Sequence, residues 1–272
     1  QLEHLEDLQP RSLEHLQSEF QLTAERHSDA ASAVRVLRSL RRRELFRITS
    51  ADVLGLVDAV TVCRALSDVM EATLVAASDA VIRDWEARQA RPFPTRFTIV
   101  AMGRFGGREL SYGSDADVMF VHDPINDADD CLAAAVDVAS ALTNLLAEPG
   151  TEPPLLIDAD LRPEGRNGPL VRSLAGYAAY YERWSLTWES QALLRARPFS
   201  GDASLRERFV ELIDSMRYPA SGLPDADVRE VRRIKARVEA ERLPRGADPT
   251  LHLKLGRGGL ADVEWLVQLL QM

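Results

Sequence analysis

The chain has 272 residues, 46% of them hydrophobic, and its 33 basic and 42 acidic residues give a net charge of −9. That balance repels a phosphate backbone unless positive charge is concentrated locally, which disfavours a general nucleic-acid binder. No apolar run approaches the roughly 20 residues a membrane helix needs, and the opening QLEHLEDLQP lacks the basic start and apolar core of a signal peptide; a soluble, cytoplasmic protein is expected.

Cys63 and Cys131 have no second Cys or His at ligand spacing, so they are expected as core thiols, neither zinc ligands nor a disulfide. Between residues 29 and 89 apolar residues recur at helical spacing (Val34, Leu37, Leu40, then Leu66, Val69, Met70, Leu74), predicting a helical bundle. Thr49 and Ser50 are natural N-caps and Asp52 adds an acid in the first turn, which predicts a break between helices near position 49. The basic run 38–43 (RSLRRR) reads as a solvated helix face, with an anion-binding patch as the alternative.

Residues 91–94 (RPFP) end the helical region, and 97–102 (FTIVAM) has the length and apolarity of a buried strand. Gly103, Gly106 and Gly107 follow, then Tyr112-Gly113-Ser114, then a second apolar strand at 116–121. Residues 129–147 read as an Ala-rich helix and 154–161 (PLLIDADL) as a third strand, after which helices are predicted at 173–196, 202–217, 225–242 and 260 to the end. The expected fold is α/β of the α+β kind, mostly helical: a helical region at 1–94, a small mixed-sheet core at 95–172 and a second helical region at 173–272. Met272 falls in mid-helix without a cap signal, which suggests a piece of a longer protein.

Side chains on a strand alternate, so Asp115 and Asp117 point to one face. Two like charges held together are favourable when a divalent cation sits between them, and Mg²⁺ is the natural occupant because it takes carboxylate and phosphate oxygens together. Gly106 and Gly107 allow backbone N–H groups to approach phosphates closely, and Ser114 adds a hydroxyl. The order Gly-Gly, seven residues, Asp-x-Asp resembles the signature of the polymerase-beta-like nucleotidyltransferases, in which a third carboxylate comes from a later strand. The third strand offers Asp158 and Asp160, and spacing alone leaves both open.

The segments MGRFGGRELSYGSDADVMFVHD at 102–123, DADLRPEGRNGPLVRSL at 158–174, WESQALLRARPFSGD at 188–202 and KLGRGGLADVEWLVQ at 254–268 resemble the bacterial glutamine synthetase adenylyltransferases, across roughly residues 30 to 272. Members of that family carry two related halves, one attaching AMP to glutamine synthetase and one removing it by phosphorolysis. The resemblance implies a nucleotidyltransferase core flanked by helical bundles, ATP as donor, two Mg²⁺ ions, and a tyrosine of glutamine synthetase as acceptor. A PII-type nitrogen-signalling protein is implied as regulator of the full-length protein. It also makes Asp158 the third catalytic carboxylate beside Asp115 and Asp117, since the family often has Arg where Asp160 stands. Ala261 before Asp262, where the removing half usually carries Arg, looks like the AMP-attaching half. A small-molecule nucleotidyltransferase and a non-catalytic nucleotide-binding module are the competing readings.

Transfer of a nucleotidyl group builds negative charge on the leaving phosphates, so cations beyond the metals are expected. Arg104 and Arg166 are candidates for that role, whereas Arg162 is expected in a structural ion pair. Arg195 and Arg197 fit either use. Lys254 and Arg257, beside the last helix start, read as ordinary helix-start residues, with an anion site as the alternative. Tyr177, Tyr180, Tyr181, Trp184 and Trp188 read as core packing, with adenine stacking as the alternative. His122 reads as a strand-end polar residue.

Overall fold

The computed structural model describes residues 5–125, 130–244, 246–248 and 250–272. After a 3-10 turn at Leu5–Leu8 come helices α1 (Leu13–Ala24), α2 (Ala30–Val53) and α3 (Ala59–Gln89), then strand β1 (Thr95–Ala101), the short helix α4 (Gly103–Gly106) and strand β2 (Ala116–Pro124). Next are α5 (Cys131–Ala147), β3 (Ile157–Asp158), a 3-10 turn at Gly165–Asn167, β4 (Val171–Ser173), α6 (Leu174–Trp184), α7 (Thr187–Leu193) and β5 (Arg197–Pro198). Helices α8 (Ala203–Arg217), α9 (Asp225–Arg242) and α10 (Leu260–Gln271) complete the chain. This is the mostly helical α/β chain that the pattern predicts. Residue 129, the expected first position of the Ala-rich helix, and the first four residues of the opening stretch lie outside the described residues. None of the described helices is long and apolar enough to cross a membrane.

The residues form two compact units, Gln1–Tyr177 with Arg195–Phe209, and Ala178–Leu194 with Val210–Met272. In the first unit α1, α2, α3, α5 and one face of the sheet share a single apolar core that includes Phe20, Leu37, Leu74, Ile99, Phe120 and Leu142. Burying such side chains contributes about 1.5–3 kcal/mol each. Cys131 is buried there, Sγ 3.3 Å from the Pro94 carbonyl oxygen, and Cys63 is half-buried and not bonded to it.

The helix break expected near position 49 is absent, and α2 runs on to Val53. Thr49 lies inside the helix and returns its hydroxyl to the Leu45 carbonyl at 2.8 Å, as mid-helix threonines do. The cap is Asp58, whose carboxylate accepts the Thr61 N–H at 2.7 Å and starts α3. The basic run on α2 is neither a free solvated face nor a single patch. Arg38 is buried and donates to the Glu152 carbonyl at 2.6 Å, Arg42 pairs with the Glu152 carboxylate at 2.7 Å, and Arg43 and Arg47 flank buried Glu44 at 3.2 and 3.1 Å.

β1 pairs antiparallel with β2 from Thr95↔Pro124 to Ala101↔Val118, and with β5 on its other side. The far edge of β2 receives two short parallel strands in line, β3 beside Ala116–Asp117 and β4 beside Phe120–His122. Tyr177 is buried in this unit, its hydroxyl donating to the Phe120 carbonyl at 3.3 Å and its ring edge-on to Phe209.

In the second unit, the single helix expected at 173–196 is broken at residues 185–186. Glu189 causes the break locally: its carboxylate accepts the Leu186 N–H at 2.8 Å, capping α7, and the Tyr180 hydroxyl at 3.0 Å. Thr187 donates to Asp227 on α9 at 2.9 Å, and Lys235 on α9 pairs with Asp262 on α10. Asp262 also accepts the Gly258 N–H at 2.6 Å, while Lys254 and Arg257 are exposed, as ordinary helix-start residues would be. Tyr181 is buried, Trp188 half-buried and Trp184 exposed.

If Asp58 and not Ser50 begins the third helix, Asp58→Ala lowers the urea denaturation midpoint whereas Ser50→Ala leaves it unchanged.

Candidate metal centre

Ala116, Val118 and Phe120 alternate into the core and are fully buried, so the acids between and before them face the opposite side of β2. The β2–β3 register sets Asp117 directly beside Asp158, and Asp115 precedes β2 by one residue. Carboxylate oxygens of Asp115, Asp117 and Asp158 consequently lie within 4.8 Å of one another, with Asp115 exposed and the other two half-buried.

The third strand is much shorter than the predicted 154–161. It ends at Asp158, because that carboxylate accepts the Asp160 N–H at 2.7 Å and turns the chain at once. The turn continues through Arg162 N–H to the Ala159 carbonyl and Gly165 N–H to the Arg162 carbonyl. Buried Arg162 donates to the carbonyls of Ala159 at 2.7 Å, Gly168 at 3.1 Å and Arg166 at 3.3 Å, while Asp160 lies 3.8 Å away. Its role is structural, as expected, but through backbone carbonyls more than through an ion pair. The alternation that placed Asp158 and Asp160 on one face does not apply beyond the strand. Asp160 instead pairs with Arg166 at 2.5 Å, and this contact holds the exposed Arg166 guanidinium above the usual arginine range.

On the other side of the acids the Met102 N–H donates to the Asp117 carbonyl at 2.8 Å. Gly103 then turns into the left-handed region at φ 51°, and a Cβ on it would stand 2.5 Å from Asp117 Oδ2. The Asp117 carboxylate therefore rests against bare backbone. Sequence reading grouped Gly103 with the other loop glycines and missed this contact. Gly106 is buried, and a Cβ there would fall 1.8 Å from the Arg195 carbonyl oxygen and 2.8 Å from that of Ala101. Its lack of a side chain serves close packing. Gly107 is exposed at the end of α4. Arg104 and Ser114 meet at Ser111, 3.3 and 3.1 Å from its hydroxyl. Arg197 joins Glu71 of α3 at 2.7 Å to the Gly106 carbonyl at 3.3 Å, and Arg195 lies 3.4 Å from Glu109.

His122 is buried and its Nδ1 lies 3.2 Å from the Thr95 hydroxyl. Burial holds its pKa below the usual histidine value, with Asp123 opposing in part.

Three carboxylates converging from adjacent strands form an all-oxygen donor set, which suits a hard divalent cation such as Mg²⁺. At one end of a mixed sheet and beside a glycine-rich turn, these three carboxylates could together hold such a cation. The chain belongs to the glutamate-ammonia ligase adenylyltransferase family, whose sequence model matches residues 1–212. It is 56% identical over 255 residues to the bifunctional glutamine synthetase adenylyltransferase/adenylyl-removing enzyme of Mycobacterium avium, covering 92% of this chain and 26% of that one. The enzyme of the same description from Streptomyces avermitilis is 54% identical over 283 residues, covering 97% and 28%. The chain thus spans about a quarter of the length of the curated relatives it matches.

Gly106→Ala drives a methyl group into two carbonyl oxygens and is expected to cost about 3 kcal/mol or more in urea denaturation. Gly113→Ala, at φ 74° with open space around it, costs about 1–2 kcal/mol of backbone strain. As pH falls, the unfolded chain protonates His122 near the ordinary histidine value of 6.5, before the folded chain does. Stability from neutral His122 is therefore present above that pH and lost as pH falls below it. A His122→Asn variant should show a flatter stability profile between about pH 5 and 7.

Proposed function

We propose that this chain transfers AMP from ATP to a tyrosine hydroxyl of glutamine synthetase, releasing pyrophosphate, as the adenylylating half of a bifunctional enzyme. The observation that carries the reading is the convergence of Asp115, Asp117 and Asp158 within 4.8 Å, joined to the family membership. Ala261 before Asp262, just after the Gly258-Gly259-Leu260 turn, supports the attaching half over the removing one. The reading includes a cytoplasmic site of action and a PII-type regulator working through the longer protein.

In the transfer, the phenol oxygen forms a bond to the α-phosphorus and the bond from that phosphorus to the bridging oxygen of the leaving pyrophosphate breaks. Asp115 and Asp117 would hold Mg²⁺, with Asp158 completing the set. When bound, the cation supplies charge neutralisation at the phosphates and lowers the pKa of the attacking phenol. A phenol near pKa 10 needs that help, because a carboxylate near 4 is otherwise too weak a base. Asp158 is the residue for accepting the proton: its Oδ1 is fixed by the Asp160 N–H, which orients the remaining oxygen lone pairs. Gly103 keeps the Asp117 carboxylate from being displaced. Arg104, which shares the Ser111 hydroxyl with Ser114, would meet phosphate oxygens in this reading. The N–H groups of Gly106 and Gly107 are spent on the Met102 and Gly103 carbonyls at 2.8 and 3.2 Å, so the two glycines shape the turn and do not supply phosphate donors. Arg166 is tied to Asp160 through its Nε, and its remaining N–H donors are the ones that would meet phosphate in this reading.

Incubation with ATP, Mg²⁺ and glutamine synthetase should yield a tyrosine-linked AMP adduct by mass spectrometry. Phosphate-dependent release of ADP from adenylylated glutamine synthetase, with no forward transfer, would reverse the choice of half. Asp117→Asn should lower transfer by roughly 10²-fold or more, at or beyond the range for outer-shell metal-site residues, with an unchanged melting temperature. Full activity in that variant would remove the metal assignment.

A further inference from the structure

In the first unit, α2, α3 and the turn at 110–114 line a partly open cavity of about 230 Å³. Leu66, Met70 and Leu110 give it an apolar lining, while Arg41, Ser111 and Ser114 bring a cation and two hydroxyls. The turn is fastened over it, since the Tyr112 hydroxyl donates to Asp52 on α2 at 3.0 Å and the Leu110 N–H to Ser67 on α3 at 3.4 Å.

Arg41 differs from its neighbours on α2. Arg42, Arg43 and Arg47 all have carboxylate partners, and Arg38 has the Glu152 carbonyl at 2.6 Å. Among the described residues Arg41 has no carboxylate within 4.0 Å, only a long 3.4 Å contact to the Pro153 carbonyl. It is half-buried, and burial together with the nearby Arg38 charge lowers its pKa. A guanidinium withdrawn from water beside a second cation is costly until an anion joins it.

We propose that this cavity binds a small organic anion, its charged group on Arg41 and the Ser111 and Ser114 hydroxyls, its carbon body on Leu66, Met70 and Leu110. The volume lies below the roughly 300–1,000 Å³ of drug-sized pockets, which limits the enclosed part to a few heavy atoms. Two sources share this chemistry. One is a phosphate group of the donor nucleotide, because Ser114 adjoins Asp115; that source rests on the function proposed above. The other is a separate small carboxylate acting on the turn that carries Asp115.

The test is calorimetric titration of the whole chain, with Mg²⁺ present, by ATP, inorganic triphosphate and butyrate. At least one probe should bind, and Arg41→Met should weaken it by about tenfold or more, the worth of one charge-assisted contact. Arg41→Lys should weaken it less. Loss of ATP and triphosphate together assigns the site to the donor, and loss of butyrate alone assigns it to a separate anion. Ser111→Leu, an exposed position that blocks the cavity, should reproduce the loss and serves if Arg41→Met does not fold. Binding of every probe unchanged in both variants, or no binding of any probe to the native chain, overturns the proposal. ATP binding that ignores Arg41, with no Arg41-dependent butyrate binding beside it, would sink this site and leave the transferase reading standing. Arg41-dependent butyrate binding without any ATP binding would do the reverse.

Discussion

The parallel pairing of β3 with β2 is two residues long, and the acidic cluster depends on it. Three carboxylates brought within 4.8 Å repel one another, so neighbouring backbone must hold each in place. The Ala116 N–H donates to the Leu156 carbonyl at 2.8 Å, and the Leu155 N–H to the Leu146 carbonyl at the end of α5 at 2.9 Å. The incoming segment is thus tied to both sheet and helix before Asp158 is reached. Beyond it, Arg162 gathers three carbonyls of the following turn and stops the strand from lengthening. The cluster is held between this clamped turn and the side-chain-free backbone of Gly103.

Much of this was legible in residue order. Apolar runs marked β1 and β2, and alternation along β2 gave Asp115 and Asp117 a common face. The helices expected at 225–242 and from 260 onward match α9 and α10. What escaped had one physical character: side chains bonded to backbone far away or in the next turn. Thr49 looks like a cap but returns to its own helix, Glu189 cuts one predicted helix into two, and Asp158 and Arg162 replace a strand by a turn. Between Asp158 and Asp160 strand spacing left the choice open and the family resemblance favoured Asp158, while the Asp160–Arg166 pair is visible only in three dimensions.

The same holds for Gly106. Its neighbour in sequence, Gly107, is exposed, whereas Gly106 is pressed against the Arg195 carbonyl from a segment some ninety positions away. Arg197, two residues further on, bridges that contact to Glu71 in the long helix α3. The glycine turn is therefore braced from behind by a helix whose own sequence shows nothing but a core stripe.

The outer rows of the sheet are short. One edge is β5, two residues long, and the other is shared by β3 and β4, with two and three residues and a clamped turn between them. An incoming strand needs a continuous row of unsatisfied N–H and C=O groups to pair with. Neither border offers one, which protects the chain from edge-to-edge stacking. It also leaves helix faces and turns, shapes to be fitted and not strands to be extended, as the surfaces that the protein substrate proposed above would have to meet.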